Sequence, residues 1–485
     1  MARIGYLVFL MVFVLPFHAW GLSVTTYGAL CNGVFDDAKA FTTANAVAVA
    51  LGGATIDVPP GCSLGSTVKV SAKVVFNGTG QSLPSVKALS ANLTLFNLGG
   101  AGAAVTNLMI DQSAFTNASG CAINIGGGEF GYVNQVTILG SFEGVCSSGT
   151  AVTIQNTIVL NPTTTTGTCF VINVSFNTYL LNNLCRGTSS TLQPYAAVKI
   201  VGAGGGHVLY NMQGIWSGNG LVVNANGVTI EWIFSVNTVM DTGTGTGLLL
   251  TANGAGVLKG FQSTGDWASS FDQNGISVTQ GTGTIDQVSF TGLRAFANKQ
   301  NGVAFNSGTN LSVNASSICG NSTAPTNTHN GILADAGATG VKITDSTIGT
   351  CALVGGGTPT QAWGVLSLSP SIQIQGNTLN GNVGGPVSLA AAPTTAIIKD
   401  NIGIDNVVPT IASATTITLP VNPTVVLSGV ASVQTINGFW PGRQVLIVPQ
   451  STANYITGGN ISVANTPTPG QPSIAVYFGS SWSVR

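Results

Sequence analysis

Apolar residues recur along this chain as short alternating runs led by glycine, not as helical stripes. The segments Gly220-Leu-Val-Val, Gly247-Leu-Leu-Leu, Gly275-Ile-Ser-Val, Gly302-Val-Ala-Phe, Gly331-Ile-Leu-Ala and Gly364-Val-Leu-Ser stand 27, 28, 27, 29 and 33 residues apart. The residue after each glycine is apolar (Leu221, Leu248, Ile276, Val303, Ile332, Val365). Two positions on come Val223, Leu250, Val278, Phe305 and Ala334, with Ser367 breaking the column. Residues two apart share one face of a strand. After a short turn a second alternating run follows: Val228-Thr-Ile, Val257-Leu-Lys, Ile285-Asp-Gln-Val, Leu311-Ser-Val, Val341-Lys-Ile, Ile372-Gln-Ile, Ile397-Ile-Lys. No crossover helix fits between such strands, which argues against a doubly wound sheet. A period of a few tens of residues, each repeat too small to bury its own apolar face, predicts a solenoid of stacked parallel strands, a β-helix. Less regular coils at Gly120-Cys-Ala-Ile, Gly144-Val-Cys, Thr168-Cys-Phe-Val and Ala197-Val-Lys-Ile extend it back to about Val68.

The pattern differs at the two ends. Arg3, the apolar run Tyr6 to Phe17 and the small residues of Ala19-Trp20-Gly21 read as a secretory signal over residues 1–21. That run is short for a membrane span, so export without stable membrane insertion after cleavage is expected. Alanine-rich Ala38 to Leu51, preceded by Asp36 and Asp37, predicts a helix whose start favours carboxylates. From about Pro409 the coil period is lost, and short strands separated by Pro and Gly predict a small all-β module. The expected organisation is therefore a cap over 22–66, the solenoid over 67–408 and the terminal module over 409–485.

Only 6% of the residues are charged, against about 25% in ordinary domains. With 14 basic and 15 acidic residues there is no electrostatic footprint for nucleic acid. The eight cysteines fall as sequence neighbours: Cys31 and Cys62, Cys121 and Cys146, Cys169 and Cys185, Cys319 and Cys351. Three of the four gaps approach one coil, which is compatible with bridges between neighbouring coils, though spacing leaves the connectivity open. There is no Cys-x-x-Cys pair and, past the signal, no histidine besides His207 and His329. No metal or cofactor site is expected.

The run Gly28-Ala29, Asn32-Gly33, Asp36-Asp37, then Gly53 to Gly61 resembles the opening motif of the pectate-lyase superfamily. That group includes polysaccharide lyases, family 28-related glycoside hydrolases and phage tailspikes. The resemblance implies a right-handed β-helix, a helix capping its open end, structural roles for Asp36 and Asp37, and a polysaccharide as partner. The likeness to tailspikes further implies a homotrimer. Asn32 stands where the family usually has Asp. The Asn-Thr-Asp, Asp-Asp and Gly-His-Gly set of polygalacturonases and the calcium-binding aspartates of pectate lyases are not found.

Aligning the coils on their glycines gathers the scarce charges along one edge. Trp267 and Arg294 lie eight residues before a leading glycine, Asp272 and Lys299 three before, and His329 two before. Asp266 adjoins Trp267, and Asp241 lies six before Gly247. Carboxylates on adjacent coils would stand about 5 Å apart, near the separation of a retaining glycosidase, or about 10 Å with one coil between. Asp241 and Asp266 are thus candidates for general acid and for nucleophile or base, and Arg294 or Lys299 for proton abstraction in a lyase. Trp232 and Trp267 are candidate sugar platforms, with Asp272 and His329 as further contacts. The bland alternatives are a corner aspartate bonding turn backbone, an Asp272–Lys299 surface ion pair, and tryptophans that merely pack. The expectation is a secreted protein that binds polysaccharide and cleaves it as hydrolase or lyase. A non-catalytic, adhesin-like or tailspike-like binder is the alternative.

Overall fold

A computed structural model describes residues 21–80, 85–160, 164–189, 191–325, 327–351, 358–463 and 465–485. The segment read as a signal thus lies, but for Gly21, outside the described residues. Each coil has three strands, as in Asn219–Asn226, Thr229–Val236 and Val239–Gly243. Every pairing between coils is parallel. First and second strands join in one 28-stranded sheet, and third strands form a separate 12-stranded sheet. The apolar columns of the sequence are in register: Leu221 pairs with Leu248, then Ile276, Val303, Ile332 and Val365. Their side chains fill one continuous core. Among the stacked rings inside are Phe261, Phe290 and Phe305.

The leading glycines answer to close approach between coils. A Cβ at Gly247 would lie 2.5 Å from the Gly275 carbonyl, one at Gly275 2.7 Å from Gly302, and one at Gly302 2.8 Å from Gly331. A second rule governs the corner between second and third strands. There one residue per coil is left-handed: Asn107, Gln135, Asn156, Asn182, Asn211, Asn237, Gly265, Gly292, Ala315, Asp345, Gly376 and Asp400. Asparagine and glycine tolerate that conformation best, which accounts for most of the column. The residue that follows points inward, and where it is polar its side chain can accept the buried amide of the coil before: Asn183 from Thr157, Ser316 from Leu293, Ser346 from Ser316, Asn377 from Ser346, Asn401 from Asn377.

At the N-terminus the helix Ala38–Ala50 closes the tube, with Phe41 stacked at 5.4 Å on Phe76 of the first coils. Asp37 accepts the Leu30 and Ser63 amides, and Asp36 accepts those of Ala38 and Gly65, so both tie the helix entrance to the neighbouring strand. The neighbouring cysteines are all paired. Cys169–Cys185 has the shortest gap because it joins a first strand to the third strand of the same coil, across the interior. Four disulfides fit an oxidising compartment. Among the described residues no helix is long and apolar enough to cross a membrane.

The terminal module has its own core around Trp482 and Tyr455. Its pairing differs from the expectation of strands without a coil period. Thr410–Ala412, Thr424–Ser428 and Gln444–Pro449 pair in parallel, as do Thr416–Thr418 and Thr435–Asn437. Only Ser473–Tyr477 and Trp482–Val484 bring antiparallel ladders. The small parallel stack escaped the glycine alignment because its repeats are shorter and lack the leading glycine.

Candidate functional site

Three of the predicted residues meet on the outward face of the third strands. Trp267 pairs with Val239 on one side and Arg294 on the other, and Asp241 pairs with Ser269. The Trp267 indole donates to Ser269 Oγ (2.5 Å), which donates to Asp241 Oδ1 (2.6 Å). Phe296 meets the Trp267 ring edge-on at 4.8 Å. Farther along the face, the Arg186 guanidinium lies 5.0 Å from the centroid of Trp216. The indole is therefore fixed by polar and aromatic contacts, beside an ionisable carboxyl and an exposed guanidinium. Ser269, Phe296, Arg186 and Trp216 were missed in the sequence. Third strands are three to five residues long, too short for a periodicity signal of their own.

The other predicted residues do not join them. Asp266 is fully buried and fills the inward corner position that Asn183 and Asn377 fill in other coils. Its carboxylate accepts the Thr238 amide (2.8 Å) and the Ser263 hydroxyl (2.7 Å). Burial pushes its pKa up to about 6 against the pull of these bonds. A carboxyl sealed in the tube cannot reach a glycosidic oxygen, so the Asp241–Asp266 pair is not assembled on one surface. Asp272 and Lys299 form an ion pair at 2.7 Å, close to half exposed. His329, half-buried at the same corner, is held below its ordinary pKa by burial. The tightest groups of ligand-type side chains among the described residues are Cys31–Asp37–Cys62 and Cys121–Glu143–Cys146. In both groups the sulfurs are bonded to each other.

Trp232 lies around the corner, on the outward face of the second strands, and is 44% exposed. Its backbone is left-handed (φ 55°), a conformation rare for a bulky residue. The ring lies over the next coil, where a Cβ at Gly260 would approach its Cε3 to 2.7 Å. Trp232 belongs to a patch of outward aromatic rings scattered over five coils, in which Tyr132, Tyr179 and Phe234 alternate with Thr153 and Val208. Tyr132, Thr153, Tyr179, Val208 and Phe234 pair in turn, as do Gln155, Leu181, Tyr210 and Val236. Phe130, also left-handed and 63% exposed, and Phe176 extend the row. Amides border it: Gln155 donates to the Tyr132 hydroxyl (2.6 Å), Asn156 to Asn134, and Asn211 to Asn182. The outward residues of these strands carry no charge apart from Glu129 and Glu231 at one border. The aromatic row was legible in principle, had the earlier second strands been aligned as the later ones were.

No protein-family model matches the chain, and no curated protein matches it in sequence. Solved structures do. The chain is similar to bacteriophage CBA120 tailspike protein 3 (14% identity, TM-score 0.55), over 96% of this chain and 68% of that one. It is similar to the tailspike protein of E. coli bacteriophage HK620, solved in complex with a hexasaccharide (12% identity, TM-score 0.52), over 78% of both chains. A third is the A-module of a mannuronan C-5 epimerase from Azotobacter vinelandii (13% identity, TM-score 0.51), over 79% of this chain and 98% of that one. At such identities the likeness speaks to architecture alone, and it agrees with the strand register and the corner columns: the chain is a right-handed parallel β-helix.

Proposed function

We propose that the protein is a secreted polysaccharide-binding β-helix that grips its ligand by stacking. The observation that carries this reading is the aromatic row of the second face, from Phe130 to Phe234. Aromatic rings beside amide side chains offer apolar faces for sugar rings and hydrogen-bond partners for their hydroxyls. Five coils span roughly 20 Å by 15 Å, well below the roughly 800 Å² per partner of a stable protein interface. A flat polymer fits better than a second protein. The Trp267–Ser269–Asp241 chain and Arg294, one corner away, supply a further platform with a polar edge.

Cleavage has less support than binding. The hydrolytic pair lacks Asp266, and Lys299 is held by Asp272. The assay is a polysaccharide panel scored for binding, for released reducing ends and for the ultraviolet absorbance of an unsaturated product. Binding without either product is expected, and weaker binding on Trp232→Ala with an unchanged melting temperature. A new reducing end abolished by Asp241→Asn would replace the binding reading with a hydrolase. A homotrimer is part of the same proposal, and sedimentation of a monomer would remove it.

A further inference from the structure

A cavity of about 200 Å³ opens at the corner between third and first strands, away from the aromatic row. Its lining is Thr165, Thr191, Gln193, Tyr195, Asn219 and Thr244, with Gly218 and Gly245. The segment Thr191–Tyr195 is held over the corner by specific bonds. The Gly218 and Asn219 amides donate to the Pro194 and Tyr195 carbonyls (2.7 and 2.8 Å), and the Tyr195 amide donates to Gly167 (2.7 Å). Buried Gln193 reaches across 51 residues of sequence to accept the Thr244 amide (3.2 Å) and hydroxyl (3.3 Å). Asn219 accepts the Thr246 amide (3.0 Å) and donates to the Tyr195 carbonyl (3.1 Å). The glycines have no room for larger residues: a Cβ at Gly218 would stand 2.9 Å from the Tyr195 carbonyl, and one at Gly245 would strike Asn219 Oδ1.

The lining is tied together by these bonds and carries no formal charge. It combines three threonine hydroxyls, two amides and the phenol of Tyr195, a residue 38% exposed. The Lys199 ammonium lies 5.6 Å from the Tyr195 centroid and steadies that ring. A cavity of about 150 Å³ accepts benzene, so this one has room for a single six-membered ring. A carboxylate placed among these residues would find only hydroxyls and amides in the lining, the nearby Lys199 ammonium being set over the Tyr195 ring, whereas ring hydroxyls would find donors and acceptors. We propose that the cavity is a subsite for one uncharged pyranose unit. This rests on the polysaccharide reading above and assigns it a substrate class: a polymer with neutral sugars at the position engaged here.

The test is calorimetric titration of the full chain with neutral oligosaccharides (gluco-, manno-, xylo- and galacto-series) and acidic ones (oligogalacturonate, oligoalginate). Wild type is compared with Tyr195→Ala, with Thr191→Trp, which fills the cavity, and with Trp232→Ala on the aromatic row. The expected result is preference for a neutral series, weakened about tenfold or more by Tyr195→Ala and by Thr191→Trp, at unchanged melting temperature. Full affinity in both cavity variants, with a loss in Trp232→Ala, overturns the subsite and leaves the polysaccharide reading standing. Preference for an acidic series that depends on Tyr195 overturns the neutral assignment. No binding in either series sinks both.

Discussion

Inside the tube, two titratable residues respond to acid in opposite directions. Burial raises the Asp266 pKa to about 6, so the folded chain takes up that proton before the unfolded chain does. Stability from this group rises as pH falls from about 6 towards the ordinary carboxylate value of about 4. His207 is fully buried with neither ring nitrogen bonded to protein, and burial lowers its pKa to about 4. The unfolded chain protonates it first, near 6.5, so stability from this group is lost as pH falls from about 6.5 to about 4. Each effect is on the order of 3 kcal/mol, and over most of the window they cancel. Asp266→Asn should therefore be more stable than wild type near pH 7.5 and lose stability steeply on acidification. His207→Leu should instead gain stability between pH 6 and 4. Urea unfolding across that range reads both slopes, and a slope of the same sign in the two variants would refute the pairing. The asparagine also suits its position: Asn183 and Asn377 donate to the carbonyl three residues before the amide they accept, a bond the Asp266 carboxylate cannot make. Nothing in the residues around Asp266 marked it as interior. Its neighbour Trp267 faces solvent one strand position away, and only the coil register separates the two.

At the level of the coil, one buried corner position decides whether neighbouring turns are tied. Asn377 accepts the Ser346 amide and donates to the Ile343 and Gln375 carbonyls. Asn377→Ala leaves those groups unpaired in the core and should cost about 2–4 kcal/mol in unfolding free energy. Gly260→Ala acts from the other side of the second strand. Its φ of 74° is costly for any L-residue, and its methyl would displace the Trp232 ring. A loss of about 1–2 kcal/mol in stability is expected, together with weaker glycan binding in the same titration. Unaltered binding in this variant would show that the position of the Trp232 ring does not matter. The first-strand columns were legible from the sequence down to the break at Ser367, because alternation and a leading glycine are both local signals. The third-strand cluster was legible only at Asp241, Trp267 and Arg294, and the aromatic row only through an alignment of the earlier second strands. Their members converge only through coils of unequal length, and a position eight residues before a glycine in one coil is an interior corner in another.

For the whole molecule, low charge and parallel stacking make each turn depend on the turns above and below it. The two ends of such a stack are its weak points. At one end the helix Ala38–Ala50 sets Phe41 against Phe76 and Phe96, and Asp36 and Asp37 anchor it to the strand at Ser63 to Gly65. Without this lid the first turn would present a triangle of unpaired backbone groups around an apolar disc, an open edge on which truncated chains can associate. A chain beginning at residue 54 should keep its β circular dichroism yet self-associate in sedimentation, whereas soluble material of unchanged size would show that the lid is dispensable. The thirteen residues of this one helix would then serve as a stopper, shielding an edge whose own geometry invites another strand.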